Sequence, residues 1–255
     1  MIKQEIYKFW TVLSYFTRIP VPSFPYQPSY LSKGTKYFPL VGLIVGGIGG
    51  GIFYLLSLVG FSQSLSVILS MVVTIWTTGA FHEDGFADVC DGFGGGWKKE
   101  KILTIMKDSA IGAYGAIGII LLLGTKYVML SDLKVEYVPA LLMVGHAMSR
   151  FTSVCIIFFS HYVRMDESSK SKPLREKQIS WKDLLVALLI TVIPLIFVPW
   201  QMALMLWPIP LGIACYNRYY FTKWIGGYTG DCLGANQQLV EVGVYISALL
   251  YGIIF

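Results

Sequence analysis

The chain is constrained above all by long apolar segments that recur along almost its whole length. A hydrocarbon core of about 30 Å is crossed by about 20 apolar residues in a helix. Only 14% of the residues are charged, against roughly 25% in a typical soluble domain, which excludes an ordinary soluble fold. We therefore predict an all-α fold, a polytopic integral membrane helical bundle. It should have about seven spans, with six to eight as the range, near these positions: 38–59, 64–81, 110–130, 138–160, 183–200, 201–221 and 236–255.

The basic residues are distributed unevenly between the connecting segments. Segments 1–37, 82–109, 161–182 and 222–235 would share one side of the membrane, and they hold sixteen of the twenty Lys and Arg residues. The positive-inside rule makes this side cytoplasmic. We expect a single multi-pass domain over 1–255 in the cytoplasmic (inner) membrane. Residues 1–37 would form an N-terminal cytoplasmic segment with a helix near 5–19 at the membrane interface, an eighth span being the alternative for this helix.

One hydrophilic segment follows the second predicted span directly: "HEDGFADVCD", residues 82–91. If it is helical, Asp84, Asp88 and Asp91 lie at i, i+4 and i+7 and share one face. Like charges at this spacing repel each other. A solvated acidic loop is the simplest interpretation, but the shared face beside a span favours a divalent-cation site. Carboxylate oxygens suit Mg²⁺ or Mn²⁺, and Mg²⁺ is usually completed by substrate phosphates. We therefore predict that 82–109 is a cytoplasmic acidic catalytic loop.

Other polar residues lie near this segment or inside the spans. Lys107 suits a phosphate contact, whereas Asp108 and Ser109 would serve equally well as an N-cap of the third span. Arg150 lies in the middle of a span, where a charged group should face a polar cavity or a carboxylate. Asp231 lies between glycines on the predicted cytoplasmic side.

Several stretches of the sequence together resemble the cobalamin synthase family, the adenosylcobinamide-GDP ribazoletransferases. The most specific are "TGAFHEDGFADVCDGFGG" and "ILTIMKDSAIGAYG", within residues 78–115. The weaker ones are "FTRIPVP" near the start, "FPLVGLIVGG" at the first span, "MSRF" at 148–151, and "GGYTGDCLGA" with Glu241 downstream. They follow the family's order along almost the whole chain.

The resemblance implies an integral membrane transferase of cobalamin biosynthesis that depends on Mg²⁺. Such an enzyme transfers the corrinoid phosphate of adenosylcobinamide-GDP to α-ribazole, or to α-ribazole 5′-phosphate. The products are adenosylcobalamin, or its 5′-phosphate, and GMP. The expected partners are these small molecules and membrane lipid, with other cobalamin-assembly enzymes or a second copy of the chain as further partners, and no nucleic acid.

The residues and the resemblance together suggest roles for the polar side chains. Asp84, Asp88 and Asp91 would hold Mg²⁺, or Mn²⁺ as an alternative. Glu83 would complete the metal shell. One of the aspartates, or His82, would accept the proton of the attacking hydroxyl. The residues predicted to bind substrate are Lys107, Asp108, Ser109, Arg150 and Asp231.

Three other function classes share part of this pattern. The main alternative is a CDP-alcohol phosphatidyltransferase-like membrane phosphotransferase, but its D-G-x-x-A-R pattern needs an Arg that does not follow Asp84-Gly85 here. An aspartate-rich prenyltransferase would have a second D-x-x-x-D on a later helix, whereas Asp231 stands alone. A transporter would carry its charges near mid-bilayer and in repeats.

Overall fold

The chain is described by a computed structural model that covers residues 2–163 and 179–255. Within these residues every regular element is an α-helix or a short 3₁₀ turn, which confirms the predicted all-α membrane bundle. The helices are α1 (Ile2–Phe16), α2 (Ser29–Lys33), α3 (Phe38–Val59), α4 (Gln63–Thr78), α5 (Phe81–Gly95), α6 (Lys99–Ile105), α7 (Ala113–Asp132), α8 (Val138–Phe159), α9 (Trp181–Val192), α10 (Trp200–Met205), α11 (Pro208–Ile225) and α12 (Gly230–Ile254). The 3₁₀ turns are Thr35–Tyr37, Val135–Tyr137 and Ile193–Phe197.

Fewer helices of the described residues qualify as membrane spans than the sequence predicts. In the described part of the chain, four helical segments are long and apolar enough to cross a bilayer: Thr35–Val59, Ala113–Asp132, Val135–Phe159 and Gly230–Ile254. A fifth exists only if α4 and α5 are counted as one broken span. The predicted spans 183–200 and 201–221 are instead divided among α9, a 3₁₀ turn, α10 and α11. The prediction of about seven spans is therefore not confirmed.

A sharp bend separates α4 from α5. The two helix axes differ by 88° across the connection at Gly79 and Ala80. Both residues have left-handed backbone conformations, with φ of 66° and 58°. Glycine tolerates this conformation, but for alanine it is strained. The main-chain N–H of Arg18 donates to the Thr77 carbonyl at 2.8 Å and ties α1 to this turn. Because of the bend, the acidic segment does not continue the axis of α4.

The centre of the bundle is α8, where α3 packs directly against its backbone. Three glycines of α3, spaced four residues apart, face α8: Gly42, Gly46 and Gly50. A Cβ on Gly46 would lie 2.6 Å from the Leu142 carbonyl oxygen, and one on Gly50 would lie 2.8 Å from that of Pro139. Small residues permit such close approach between helices in lipid. This contact fixes the position of α8 relative to α3, and α8 carries His146 and Arg150.

A second close crossing joins α5 to α12. A Cβ added to Gly85 would lie 3.0 Å from the Asp231 Cα, and one added to Gly234 would lie 3.2 Å from the His82 carbonyl oxygen. The first turns of the two helices therefore meet backbone to backbone. This crossing brings the start of the acidic helix next to "GGYTGDCLGA", although about 145 residues separate them along the chain.

The helix predicted near 5–19 runs from Ile2 to Phe16 as α1. Its inner face contributes Val12, Leu13 and Phe16 to the core. Near its start the Glu5 carboxylate pairs with Lys8 at 2.6 Å and with Lys36 at 2.8 Å. Its location at the membrane interface stays a prediction.

Candidate active site

The predicted acidic cluster lies on α5, which is helical throughout Phe81–Gly95. Asp84 is exposed and Asp88 is partly exposed. Because they are four residues apart in a helix, their carboxylates share one face on successive turns. The connecting segment expected as a loop at 82–109 thus consists largely of α5 and α6. Asp84 is the exposed carboxylate of this segment's first half, whereas Asp88, like Glu83 and Asp91, has intermediate exposure.

Asp91 has a different role from its two neighbours on the same face. Its two carboxylate oxygens accept the main-chain N–H groups of Gly112 and Gly115, each at 2.8 Å. These N–H groups belong to the first turn of α7, which has no side-chain cap of its own. A Cβ on either glycine would collide with the carboxylate. This geometry makes Asp91 a helix cap supplied by another helix and does not support its predicted metal role.

Glu83 points to the inside of the bundle and not to the acidic face. Its Oε1 accepts a hydrogen bond from Gln238 Nε2 of α12 at 2.8 Å. Its Oε2 is buried and has no hydrogen-bond partner. The predicted role of completing a metal shell with Asp84 and Asp88 is therefore not supported, because Glu83 faces another environment.

The inward side of α5 borders a buried ionic network. Lys126 of α7 and Glu241 of α12 form an ion pair, although they are only 6% and 1% exposed. The other Glu241 oxygen accepts from His146 Nδ1 at 2.7 Å and from Gln237. Gln238 links this group to Glu83. Four helices thus meet at one set of paired polar groups, which can stay buried because each charge has a partner.

The predicted substrate-binding residues are divided between the surface and the interior. Lys107, Asp108 and Ser109 are exposed and follow α6. The Asp108 side chain accepts the main-chain N–H of Ala110 at 3.1 Å, so it closes a local turn. The alternative N-cap interpretation of Asp108 and Ser109 is wrong, because α7 begins only at Ala113.

Asp231, Arg150 and His82 lie around the crossing of α5 and α12. Asp231 is half-buried in the first turn of α12. Arg150, on α8, is 2% exposed and donates from Nη1 to the His146 carbonyl oxygen at 3.0 Å. His82 is buried, with its ring stacked on Phe16 at a centroid distance of 5.4 Å. His82 therefore lies on the other side of α5 from the exposed aspartates.

The residues of the acidic segment suit a divalent cation only if water and substrate phosphates complete its coordination shell. Within 2–163 and 179–255, no group of three or more His, Cys, Asp or Glu side chains converges closely enough to hold an ion unaided. Mg²⁺ commonly takes one or two carboxylates and completes its shell with water and substrate phosphates. Asp84 and Asp88 suit that arrangement, since both are accessible and adjacent on one face. A closed site made of four acidic residues does not fit.

Comparison with known proteins identifies the family. The family model described as cobalamin-5-phosphate synthase matches residues 8–249. The chain belongs to the cobalamin-5-phosphate synthase family. Among curated relatives, the adenosylcobinamide-GDP ribazoletransferase of Shewanella baltica (strain OS185) is 43% identical over 98% of this chain and 96% of its own length. Its namesake in Shewanella pealeana is 41% identical over 98% of both chains. No solved structure matches.

Membership in the cobalamin-5-phosphate synthase family confirms the resemblance predicted from the sequence and makes the chain a transferase of cobalamin biosynthesis. Sequence reasoning gave no role to Lys126, Gln237 or Gln238. A signal for Lys126 was present, because a lysine inside an apolar span should have a buried partner. The partner, Glu241, could not be paired with it from sequence alone.

Proposed function

We propose that this family member transfers the corrinoid phosphate of adenosylcobinamide-GDP to a ribose hydroxyl of α-ribazole or α-ribazole 5′-phosphate, with release of GMP. The observation that carries the proposal is the accessible pair Asp84 and Asp88, at the crossing of α5 and α12, in a chain of this family. The products would be adenosylcobalamin, or its 5′-phosphate, and GMP.

The donor diphosphate would bind against the outer face of α5. Asp84 and Asp88 would hold Mg²⁺, which when bound would neutralise charge on the diphosphate and on the departing GMP. Lys107 is exposed near the far end of α5 and would contact a phosphate oxygen. Asp108 and Ser109 would add hydrogen bonds to the donor. Asp231 would contact the donor from α12.

The reaction is a displacement at phosphorus. The ribose hydroxyl oxygen forms a bond to the phosphorus attached to the corrinoid, and the P–O bond to GMP breaks. The proton of the hydroxyl goes to a nearby base. Asp84 and Asp88 remain candidates, whereas His82 is buried on the other side of α5 and both oxygens of Asp91 already accept main-chain N–H groups.

The proposed site would face the cytoplasm from the inner membrane. The acidic helix is followed by Lys98, Lys99, Lys101 and Lys107, a concentration of basic residues that the positive-inside rule assigns to the cytoplasmic side. Segment 161–182, which adds six more basic residues, lies mostly outside the described residues. Both substrates are water-soluble nucleotides or nucleosides, so a cytoplasmic opening suits them.

The proposal is tested by the nucleotide that the purified full-length protein releases. With adenosylcobinamide-GDP, an acceptor riboside and Mg²⁺, we expect stoichiometric GMP and a corrinoid product, and we expect excess chelator to stop the reaction. A CDP-alcohol donor offered in parallel should give no CMP. Release of CMP, or undiminished turnover in chelator, would overturn the donor or the metal assignment respectively.

A further inference from the structure

A second cleft opens at the end of the bundle that is remote from Asp84 and Asp88. It forms where the end of α7 and the turn after it meet α10 and the last two turns of α12. Its volume is about 380 Å³, which lies within the range of roughly 300–1,000 Å³ found for sites that bind small molecules. The reaction proposed above makes no use of it.

The length of α7 places this cleft at the other face of the bilayer. The first turn of α7 is capped by Asp91 of α5, and the helix runs for 20 residues to Asp132, which lines the cleft. At 1.5 Å per residue this helix is about 30 Å long, the thickness of the hydrocarbon core. The donor site and the cleft therefore lie at opposite membrane surfaces.

The residues around the cleft mark the boundary between lipid and water. Tyr137 and Tyr251 line it, and Trp200, at the start of α10, is 70% exposed. Tyrosine and tryptophan concentrate at this boundary in membrane proteins. Ile253 also lines the cleft, is 79% exposed and is followed by exposed Ile254 and Phe255. An exposed apolar surface of this kind meets membrane lipid, so the cleft opens to the bilayer.

Two opposite charges lie on the wall of the cleft, on a turn that is held in place. Asp132 and Lys134 are both exposed, and neither forms an ion pair within residues 2–163 and 179–255. Gln63 Nε2 donates to the Leu133 carbonyl oxygen at 2.7 Å, and the Tyr137 main-chain N–H donates to the Lys134 carbonyl oxygen at 3.0 Å. Because the backbone is fixed from both sides, a ligand need not order it.

The charges favour a ligand that carries both signs. Lys134 can donate to a phosphate, and Asp132 can accept from an ammonium group. Glu136 is exposed on the same turn, so the turn has two negative charges and one positive charge. An anion without a positive group would be repelled by the two carboxylates.

The inner wall of the cleft suits a hydrocarbon chain. Met202 of α10 and Ala248 of α12 are buried there, each 1% exposed, and Leu249 lies beside them. Burial of further apolar surface against these side chains is favourable. A molecule with a zwitterionic head and an apolar chain therefore matches both ends of the cleft.

We propose that this cleft binds phosphatidylethanolamine, with the lipid phosphate at Lys134, the lipid ammonium at Asp132 and one acyl chain against Met202 and Leu249. A choline headgroup carries the same charges but has no N–H to donate to Asp132. A glycerol headgroup has no positive charge. The proposal does not depend on the reaction proposed above, because it concerns the opposite face of the bundle.

The test measures lipid binding to the purified full-length protein by native mass spectrometry from detergent. Phosphatidylethanolamine, phosphatidylcholine and phosphatidylglycerol with identical acyl chains are added separately. We expect the Kd for phosphatidylethanolamine to be about fivefold or more below that of either other lipid. Equal affinities, or preferential binding of phosphatidylglycerol, would overturn the proposal.

Two variants separate the two charge contacts. Asp132→Asn should abolish the preference for phosphatidylethanolamine over phosphatidylcholine, because the ammonium loses its carboxylate. Lys134→Gln should weaken all three lipids by about fivefold, because all three carry the phosphate. Glu136→Gln is the control on the same turn, and it should leave the ratio of the phosphatidylethanolamine and phosphatidylcholine affinities unchanged. An Asp132→Asn protein that keeps the full preference would contradict the assigned headgroup contact.

A third variant tests the location of the lipid. Gly252 lines the cleft, and a Cβ there would meet no atom within 4 Å, so Gly252→Phe can fill the cleft without displacing a neighbour. We expect it to weaken all three lipids by about tenfold. Gly124→Phe is the matched control, since Gly124 of α7 also has open space around it but does not line the cleft. Unchanged binding in Gly252→Phe would overturn the site.

Discussion

Glu83 and Asp84 are adjacent in the chain, yet their carboxylates meet opposite surroundings. Asp84, with Asp88 one turn later, faces outward and is accessible. Glu83 faces the bundle, where it joins Gln238 and, through it, the network of Lys126, His146 and Glu241. One helix thus separates two groups of acidic residues.

The different surroundings of the outward-facing and inward-facing carboxylates follow from how each charge is solvated. A carboxylate that binds an incoming ligand must keep its oxygens available, which costs little where water can solvate them. A carboxylate inside the bundle cannot remain alone, because its desolvation is repaid only by charged and hydrogen-bonding partners. Charge count alone is therefore a poor guide to a site, and the direction in which each side chain points decides its role.

The largest effect is expected on enzyme activity, at the outer face of α5. Asp88→Asn keeps the shape of the side chain but removes the charge, and we expect GMP release to fall by about a thousandfold or more. The protein should remain folded, since Asp88 is not part of the buried network. Glu136→Gln, at an exposed residue next to the start of α8, is the control and should retain full turnover. Near-normal activity of Asp88→Asn would contradict the assignment of Asp84 and Asp88 as the carboxylates that act in the reaction.

The second largest effect is expected on stability, at the buried ionic network on the inner side of α5. Glu241→Gln leaves Lys126 buried without its counter-charge, and we expect a loss of about 3–5 kcal/mol in stability. The double variant Lys126→Met with Glu241→Gln should recover much of that loss, because the buried ammonium of Lys126 is no longer left without its counter-charge. Thermal unfolding in detergent measures both. If the single variant unfolds like the unaltered protein, the network is not the stabilising element described here.

Asp91 tests whether every carboxylate on the outer face of α5 serves catalysis, because it shares this face but acts as a cap of α7. Asp91→Ala should cost about 1–2 kcal/mol in stability, since two N–H groups of α7 lose their acceptor. Asp91→Asn retains one acceptor and should cost less. Both variants should keep measurable GMP release. Complete loss of turnover in a fully folded Asp91→Asn protein would restore the metal role that the sequence predicted.

The smallest effect on stability is expected at Glu5. Its side chain is 40% exposed, so it is neither buried nor fully open to solvent. Burial raises the pKa of Glu5, but hydrogen bonds from Lys36, Lys8 and Tyr37 outweigh it and lower the pKa to about 2, below the ordinary 4.5. The resulting stabilisation is fully present above pH 4.5 and is lost as the pH falls to about 2.

We expect Glu5 to contribute no more than a few tenths of a kcal/mol, because solvent screens the pairs. Glu5→Gln should flatten the acid limb of the stability profile, measured as melting temperature between pH 5 and pH 2. An unchanged profile would show that the three donors do not stabilise the ionised form.

Local patterns in the sequence predicted the helical bundle and the family, and they predicted that Asp84 and Asp88 share a helical face. Each of these follows from periodicity or from contiguous motifs. The bend at Gly79 and Ala80 was not predictable, because nothing local requires a left-handed alanine. It follows from contacts such as the Arg18 hydrogen bond to Thr77.

The remaining errors concern partners that are distant in sequence. Asp91 and Gly112 are 21 residues apart, and Lys126 and Glu241 are 115 apart. No sequence rule assigns such pairs, so Asp91 looked like a ligand and Lys126 had no role. The polar cavity expected for Arg150 matches only in part, because the cleft beside it, lined by residues such as Phe16 and Leu233, has mainly apolar walls.

The glycine contact between α3 and α8 has a consequence for substrate entry. Two backbones in direct contact leave no compressible layer between them, so these helices should shift together as a rigid unit. The crossing at Gly85 and Asp231 joins α5 and α12 in the same way. Admission of a bulky molecule into the space between the two pairs would then require whole helices to separate, and its rate should fall steeply as the surrounding lipid stiffens.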